Sequence, residues 1–148
     1  MSLEIIISDA IKDAMRAKDK VALDALRAVK SQILLLKTEA KGADVSADQE
    51  IAILQRMIKQ RKDSYDQFVA QNRSDLAEVE AAQTKVIEKY LPKQLSAEEL
   101  ESEIKKIIAD TGAESAKALG KVMGMASKNL PGKSDGKSIS EMAKKLLS

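Results

Sequence analysis

Apolar residues recur every three or four positions along most of the chain, which is the spacing of one buried face of an α-helix. In the first half, residues suited to helix N-caps separate these periodic stretches. Asp19 suits the N-cap of a second helix, and Ser46 with Gln49 forms a capping box for a third. The predicted helices are residues 4–17, about 20–41, about 47–71, and a fourth from Asn72 or Ser74, either of which can cap it, to about Tyr90.

The second and third predicted helices carry their apolar residues at alternating three- and four-residue spacing, as in a heptad repeat. Two long helices with matching seams and a short connection predict an antiparallel hairpin. The seams are Ala22, Leu26, Val29, Ile33, Leu36 and Ala40 in one helix, Ala47, Ile51, Leu54, Ile58, Arg61, Tyr65 and Phe68 in the other, with Leu76, Val79 and Val86 facing inward on the fourth.

Leu91-Pro92 interrupts the helical pattern, because Pro disfavours helix in the residue before it. No segment alternates convincingly with period two, so no sheet is predicted. The sequence therefore predicts an all-α protein with an N-terminal helical hairpin or bundle over residues 1–91. A small three-helix tail domain is predicted over residues 95–148.

Capping signals also divide the tail into helices. Ser96 with Glu99 forms one capping box, and Ser138 with Glu141 forms another. The predicted tail helices run from Ser96 to about Thr111, from Ser115 to Pro131-Gly132, and from Ser138 towards the end of the chain, with a polar loop over residues 133–137.

The composition narrows the chemistry that the chain can perform. Its 148 residues include no His, Cys or Trp, and its only aromatic residues are Tyr65, Phe68 and Tyr90. This excludes a Cys/His zinc site, a disulfide and a catalytic Ser-His-Asp or Cys-His unit, and we expect no metal or cofactor. Three aromatic rings also offer few surfaces on which nucleic-acid bases could stack. Absence of Cys suits a reducing compartment, and no apolar run is long enough for a membrane span, so we expect a cytoplasmic protein without a membrane partner.

Two Gly-Lys-Ser sequences, at residues 132–134 and 136–138, match the end of a phosphate-binding P-loop. That motif needs another Gly five residues before the Gly-Lys pair and a preceding strand, but those positions hold Ser127 and Pro131. Ser134 and Lys137 have the spacing of a Lys-activated Ser, but the companion motifs are absent. A turn between two helices is the favoured interpretation of both patterns.

Charge is nearly balanced over the whole chain but not along it. The chain has 25 Lys+Arg and 23 Asp+Glu, whereas from residue 111 onward seven lysines and three acidic residues give a local net charge of +4. Lysine is a flexible point charge suited to phosphate, and helix N-termini at Ser115 and Ser138 would add amide donors for anions. The alternative is an ordinary lysine-rich surface.

A second basic cluster lies in the third predicted helix. Arg61 falls on the apolar seam, where an unpaired buried charge would be costly. Its side chain either reaches the rim or pairs with a carboxylate. Alternatively, Arg61 joins Lys59 and Lys62 in an exposed cationic patch.

Six segments of the chain are specific in combination and order: residues 26–31, 58–64, 75–78, 90–96 with 98–100, 120–124 and 132–136. Together they resemble the GatB/YqeY family and in particular its stand-alone YqeY-like proteins. In one departure, Asn72 stands before Arg73 where the family usually has Gly, and Asn is the next-best residue for a left-handed turn.

The resemblance implies an all-helical protein whose tail is similar to the C-terminal tail of the B subunit of the tRNA-dependent amidotransferase, which engages tRNA. It also implies a carbon–nitrogen ligase activity with glutamine as amide donor. The sequence has no counterpart of a glutaminase nucleophile domain and no recognisable ATP site, so we assign no catalytic residues.

Our leading hypothesis is therefore a tRNA-associated helical adaptor without its own active site. One alternative is a protein-interaction module that docks on an amidotransferase subunit, an aminoacyl-tRNA-related protein or a translation factor. The other is an amidotransferase-like ligase. The expected phosphate contacts are Lys121, Lys128, Lys133 and Lys137, with Gly132 and Gly136 permitting close backbone approach, and Lys59, Arg61 and Lys62 form the secondary basic patch.

Overall fold

A computed structural model describes residues 2–148, and in that part of the chain it contains seven α-helices, one short 3₁₀ turn and no strand. The predicted all-α class is confirmed. The chain divides into two compact units, unit 1 (Met1–Leu91) and unit 2 (Pro92–Ser148). The helices are α1 (Leu3–Ala17), α2 (Lys20–Glu39), α3 (Ala47–Ala70), α4 (Ser74–Glu88), α5 (Ala97–Thr111), α6 (Leu119–Asn129) and α7 (Gly136–Leu147), and the 3₁₀ turn is Ala116–Ala118.

Unit 1 is built around a core to which α1, α2, α3 and the end of α4 each contribute. The most deeply buried side chains are those of Ile7, Val29, Ile33, Leu54 and Ile87. Each aliphatic side chain of this size contributes about 1.5–3 kcal/mol when it is fully removed from water. The predicted seams therefore supply much of this core.

The pairing of helices in unit 1 differs from the predicted α2–α3 hairpin. α3 packs most extensively against α4, α4 also packs against α2, and α2 contacts α3 less. With α4 as a second neighbour, α3 buries Ile53 and Met57 beside the predicted seam. Val79, predicted to face inward, is instead 44% exposed.

The turn between α3 and α4 is closed by the backbone rather than by a side-chain N-cap. Asn72 has a left-handed φ of 58°, and its N–H donates to Val69 while the N–H of Arg73 donates to Phe68. This is a Schellman motif at the end of α3, with Asn in the position that usually takes Gly. The N-cap of α4 is Arg73 without a side-chain cap, so the predicted Asn72 or Ser74 cap is wrong.

Unit 2 has a separate core between α5, α6 and α7. Ile104, Val122, Ala126 and Ala143 are fully buried at its centre. The capping boxes at the start of α3 and of α5 are both formed as predicted, and Gly112 ends α5 with a left-handed φ of 68°. No helix within residues 2–148 is long and apolar enough to cross a membrane.

Candidate nucleic-acid interface

The loop between α6 and α7 is held by the segment that enters unit 2. The Gln94 side chain donates to the carbonyl of Gly132 at 2.6 Å, and the Leu95 N–H donates to the carbonyl of Lys133 at 2.9 Å. Gly132 is buried and has a left-handed φ of 72°. The backbone of Lys133 is thereby fixed while its side chain is exposed. Sequence reasoning missed the role of Gln94, because its partner lies 38 positions away and leaves no local signal.

Helix α7 begins earlier than predicted, and this changes the expected anion site at Ser138. Its N-cap is Asp135, whose Oδ1 accepts from the Ser138 N–H at 2.8 Å. The predicted Ser138–Glu141 capping box is therefore wrong, since Asp is an equally good N-cap and complements the helix dipole. The Ile139 N–H, which a helix capped by Ser138 would leave free for an anion, instead donates to the Asp135 carbonyl at 3.1 Å.

The helix start expected at Ser115 is also corrected. Ser115 precedes the 3₁₀ turn, its side chain makes no cap hydrogen bond, and α6 begins only at Leu119. The Ala118 N–H donates to the Ser115 carbonyl at 3.0 Å, which is the tighter i→i+3 closure of a 3₁₀ turn. Neither predicted helix N-terminus is formed where the sequence placed it.

One exposed face of α6 combines two glycines with two of the candidate lysines. Lys121 and Lys128 are seven residues apart, which places them on the same side of the helix and roughly 10 Å apart along its axis. A Cβ built at Gly120 or Gly124 would meet no described atom within 4 Å. We define the α6 face as the exposed residues Gly120, Lys121, Gly124, Ser127 and Lys128.

The glycines of the α6 face were not among the sequence-predicted site residues. Gly inside a helix costs roughly 0.5–1 kcal/mol relative to Ala, and packing among the described residues does not require it at Gly124. The signal that could have found them is two glycines at i, i+4 spacing between lysines in a predicted helix. Their effect is a flat surface with lysines along one edge.

The remaining candidate residues occupy different environments. The Lys121 Nζ donates to the Thr111 carbonyl at 3.2 Å, where its charge also complements the C-terminus of α5. Lys128 and Lys137 are exposed, in the last turn of α6 and the first turn of α7. Gly136 is an exposed helical residue with open space around it, whereas the buried Gly132 cannot offer its backbone to a ligand.

The secondary basic patch is partly engaged in helix packing. Arg61 is half-buried, and its Nε donates to Gln83 Oε1 at 3.1 Å while a terminal nitrogen donates to the Met57 carbonyl at 3.3 Å. Lys62 lies 3.9 Å from a Glu88 carboxylate oxygen. Both of these Arg61 hydrogen bonds go to amide or carbonyl oxygens, whereas a carboxylate partner was one expectation from the sequence.

Similar proteins include the altered inheritance of mitochondria protein 41 of Kluyveromyces lactis, 35% identical over 103 residues, which are 68% of this chain and 55% of the relative. The protein of that name from Lachancea thermotolerans is 35% identical over 95 residues, 64% of this chain and 51% of the relative. The protein of the same name from Pyrenophora tritici-repentis is 30% identical over 125 residues, which are 83% of this chain and 68% of the relative. The chain spans about half the length of the first two relatives.

These comparisons overturn the expected cytoplasmic location. The relatives are named as mitochondrial proteins, so the cytoplasmic expectation is wrong. Its physical basis was the absence of Cys, which fits a reducing environment but does not identify the compartment.

The match to a family model covers both units. The model described as Yqey-like protein matches residues 5–147, from the first turn of α1 to the last residue of α7. It therefore includes the α6 face and the loop held by Gln94. The chain belongs to the YqeY-like protein family.

Proposed function

We propose that this protein is a tRNA-associated helical adaptor whose unit 2 contacts the RNA phosphate backbone and which has no active site of its own. The observation that carries the proposal is the α6 face, where Gly120 and Gly124 leave open space beside Lys121 and Lys128. A flat helix surface lets a ribose–phosphate backbone approach closely, and the adjacent lysines attract its charge. The exposed Lys133 on its fixed loop adds a further cation.

Such contacts give affinity and position without reading sequence. Phosphate neutralisation by lysine supplies a sequence-independent, salt-sensitive attraction. Base stacking contributes little, because unit 2 contains no aromatic residue. The proposed ligand is therefore the backbone of folded RNA rather than a particular base sequence.

Fluorescence anisotropy with labelled bulk tRNA at low salt tests the proposal. The double variant K121Q/K128Q should lose affinity by about tenfold, because two phosphate contacts on the α6 face disappear. The matched control is K105Q/K106Q on α5, whose lysines pair with Glu101 and Glu103 at 3.3 and 3.5 Å. It removes the same charge and should change the affinity less than about twofold. Absence of binding at low salt, or equal losses in both variants, would contradict the proposal.

A second candidate function, a protein-interaction module, is favoured by the location of the exposed apolar side chains. All the large hydrophobic residues that are exposed in the described chain belong to unit 1, including Leu34, Leu35 and Tyr65. Pull-down with and without ribonuclease separates the two functions. A tRNA adaptor should lose its associated proteins after ribonuclease treatment, whereas a protein-interaction module should retain them.

A further inference from the structure

The distal parts of α3 and α4 form an arm beyond the core of unit 1. We define the arm as residues 63–80, all of which the structure describes, and within it only Ala77 is buried. No described residue between Ile58 and Val86 belongs to the hydrophobic core of unit 1. Helices α3 and α4 pack against each other, and most residues of the arm are exposed.

Three large apolar side chains of the arm lie on one side. Tyr65, Val69 and Val79 are 40%, 51% and 44% exposed. The Arg61–Gln83 hydrogen bond, at 3.1 Å, fixes how the two helices face each other. Tyr65 follows Arg61 by one helical turn, and Val79 precedes Gln83 by one turn. Both side chains therefore lie on the side of the arm that carries the Arg61–Gln83 hydrogen bond, one turn nearer the α3–α4 connection. Val69, a further turn along, extends this apolar strip.

The arm carries an excess of negative charge around the apolar strip. Its five acidic residues, against one basic residue, give residues 63–80 a net charge of −4. The basic residue, Arg73, already donates two hydrogen bonds of 3.1 Å to Asp75. The acidic residues are Asp63, Asp66, Asp75, Glu78 and Glu80. This surface repels phosphate and attracts cations.

A second copy of the chain is a poor complement for this surface. Two arms would repel each other. The part of unit 2 from residue 111 onward is basic, but no large hydrophobic residue is exposed among its described residues. The apolar side of α7 is already packed into its own core through Ile139, Ala143 and Leu147. A partner that fits the arm must therefore present apolar and basic side chains on one and the same helix or strand.

We propose that the arm is a docking site for a basic amphipathic helix of another protein. The apolar side of that helix packs on Tyr65, Val69 and Val79, and its Lys or Arg residues face the acidic residues of the arm. This site goes beyond the proposed RNA contact, because it lies in unit 1 and selects the opposite charge. It gives an RNA-bound adaptor a means to hold a protein partner.

The test uses the full-length chain and a fluorescein-labelled synthetic helical peptide of about 14 residues with leucines on one face and lysines elsewhere. The comparison peptide has glutamate in place of every lysine. Anisotropy should show binding of the lysine peptide about tenfold or more tighter than binding of the glutamate peptide. Amide chemical shifts in the bound protein should change in residues 63–80.

Matched triple variants locate the contact. Y65S/V69S/V79S should weaken binding of the lysine peptide by about tenfold, because the apolar strip is lost. M15S/L34S/L35S removes three similarly exposed apolar side chains outside the arm and should leave binding within about twofold. Circular dichroism should show unchanged helix content in both, since all six side chains are exposed.

Three results would overturn the proposal. One is equal affinity for the two peptides, and another is an equal loss in the two triple variants. The third is self-association in sedimentation experiments that Y65S/V69S/V79S abolishes, because this would assign the apolar strip to a second copy of the chain. tRNA binding by Y65S/V69S/V79S should equal that of the wild type, and its loss would place the RNA contact on the arm instead.

Discussion

Glycines with different backbone conformations have different roles in unit 2. Gly112 has a φ of 68°, in the left-handed region that a side chain disfavours, whereas Gly124 is helical and has open space where a Cβ would lie. The first is explained by helix termination. Gly124 lowers the stability of the helix, and no packing contact among the described residues requires a glycine there. We infer that its open surface serves a molecule that approaches α6 from outside.

The Gly124→Ala variant separates these two effects. We expect it to raise the free energy of unfolding of unit 2 by about 0.5–1 kcal/mol, because Ala favours the helix and the added Cβ meets no atom within 4 Å. We also expect weaker tRNA binding, because the methyl group prevents close approach of the RNA backbone. Urea denaturation and fluorescence anisotropy measure the two quantities.

Gly112→Ala is the matched control for that experiment. It should lower the free energy of unfolding by about 1–2 kcal/mol, the cost of a left-handed Ala, and leave tRNA affinity unchanged. A stabilised Gly124→Ala protein that binds tRNA as tightly as the wild type would show that close approach at the α6 face is unnecessary.

At the scale of the helix, the two capping boxes have the same hydrogen bonds but different titration behaviour. The Ser46 N–H donates to Gln49 Oε1 at 2.9 Å, and the Ser96 N–H donates to Glu99 Oε1 at 3.2 Å. Only the second box contains an ionisable group. The hydrogen bond from the Ser96 backbone, followed by that from its side chain, lowers the pKa of Glu99 below the ordinary value of 4.5.

This difference predicts an acid-dependent contribution from the capping box of α5 that the capping box of α3 does not make. Because the folded-state pKa of Glu99 is depressed, its stabilising contribution is present above the ordinary pKa and is lost as pH falls through the folded value. Glu99→Gln should therefore reduce the loss of amide protection in α5 as the pH falls below the ordinary pKa of 4.5 and through the lowered pKa of Glu99. Hydrogen exchange followed by NMR measures this protection.

The reciprocal change, Gln49→Glu, is the control. It should give the first turn of α3 the same kind of acid-dependent loss, because a carboxylate then accepts the Ser46 N–H. If the protection of α5 responded to pH identically in the wild type and in Glu99→Gln, the box would not be the source of the acid sensitivity.

These elements also show what the sequence could predict. The Ser46 and Ser96 boxes were predictable because each is complete within four residues. The start of α7 was not, because Asp135 and Ser138 are both good N-caps and the choice depends on the turn held by Gln94, 38 positions before Gly132. The pairing of α3 with α4 was missed because an apolar seam shows which face of a helix is buried but not which other helix covers that face. Of the candidate site, the seven-residue spacing of Lys121 and Lys128 within a predicted helix already placed both lysines on one side. The open space beside Gly120 and Gly124 was not predictable, because it depends on which side of α6 packs against the rest of unit 2.

At the scale of the whole molecule, the net charge of +2 conceals two oppositely charged regions. The arm has a net charge of −4, and the part of the chain from residue 111 onward has +4. RNA and a basic helix would therefore select different parts of the same protein. If tRNA binding depends on where the charges lie, two variants with the same net charge should bind tRNA differently when their substitutions are at different sites.

The salt dependence of tRNA binding provides that comparison. If about four lysines neutralise phosphates, log affinity should fall with log salt concentration with a slope near −3 to −4. Each lysine removed from the contact should reduce the slope by about one, so K121Q/K128Q should have a slope near −1 to −2. K105Q/K106Q also lowers the formal net charge from +2 to zero but should keep the wild-type slope. A salt series in anisotropy measures all three proteins. Equal slopes in the two double variants would mean that net charge, rather than the α6 face, sets the affinity.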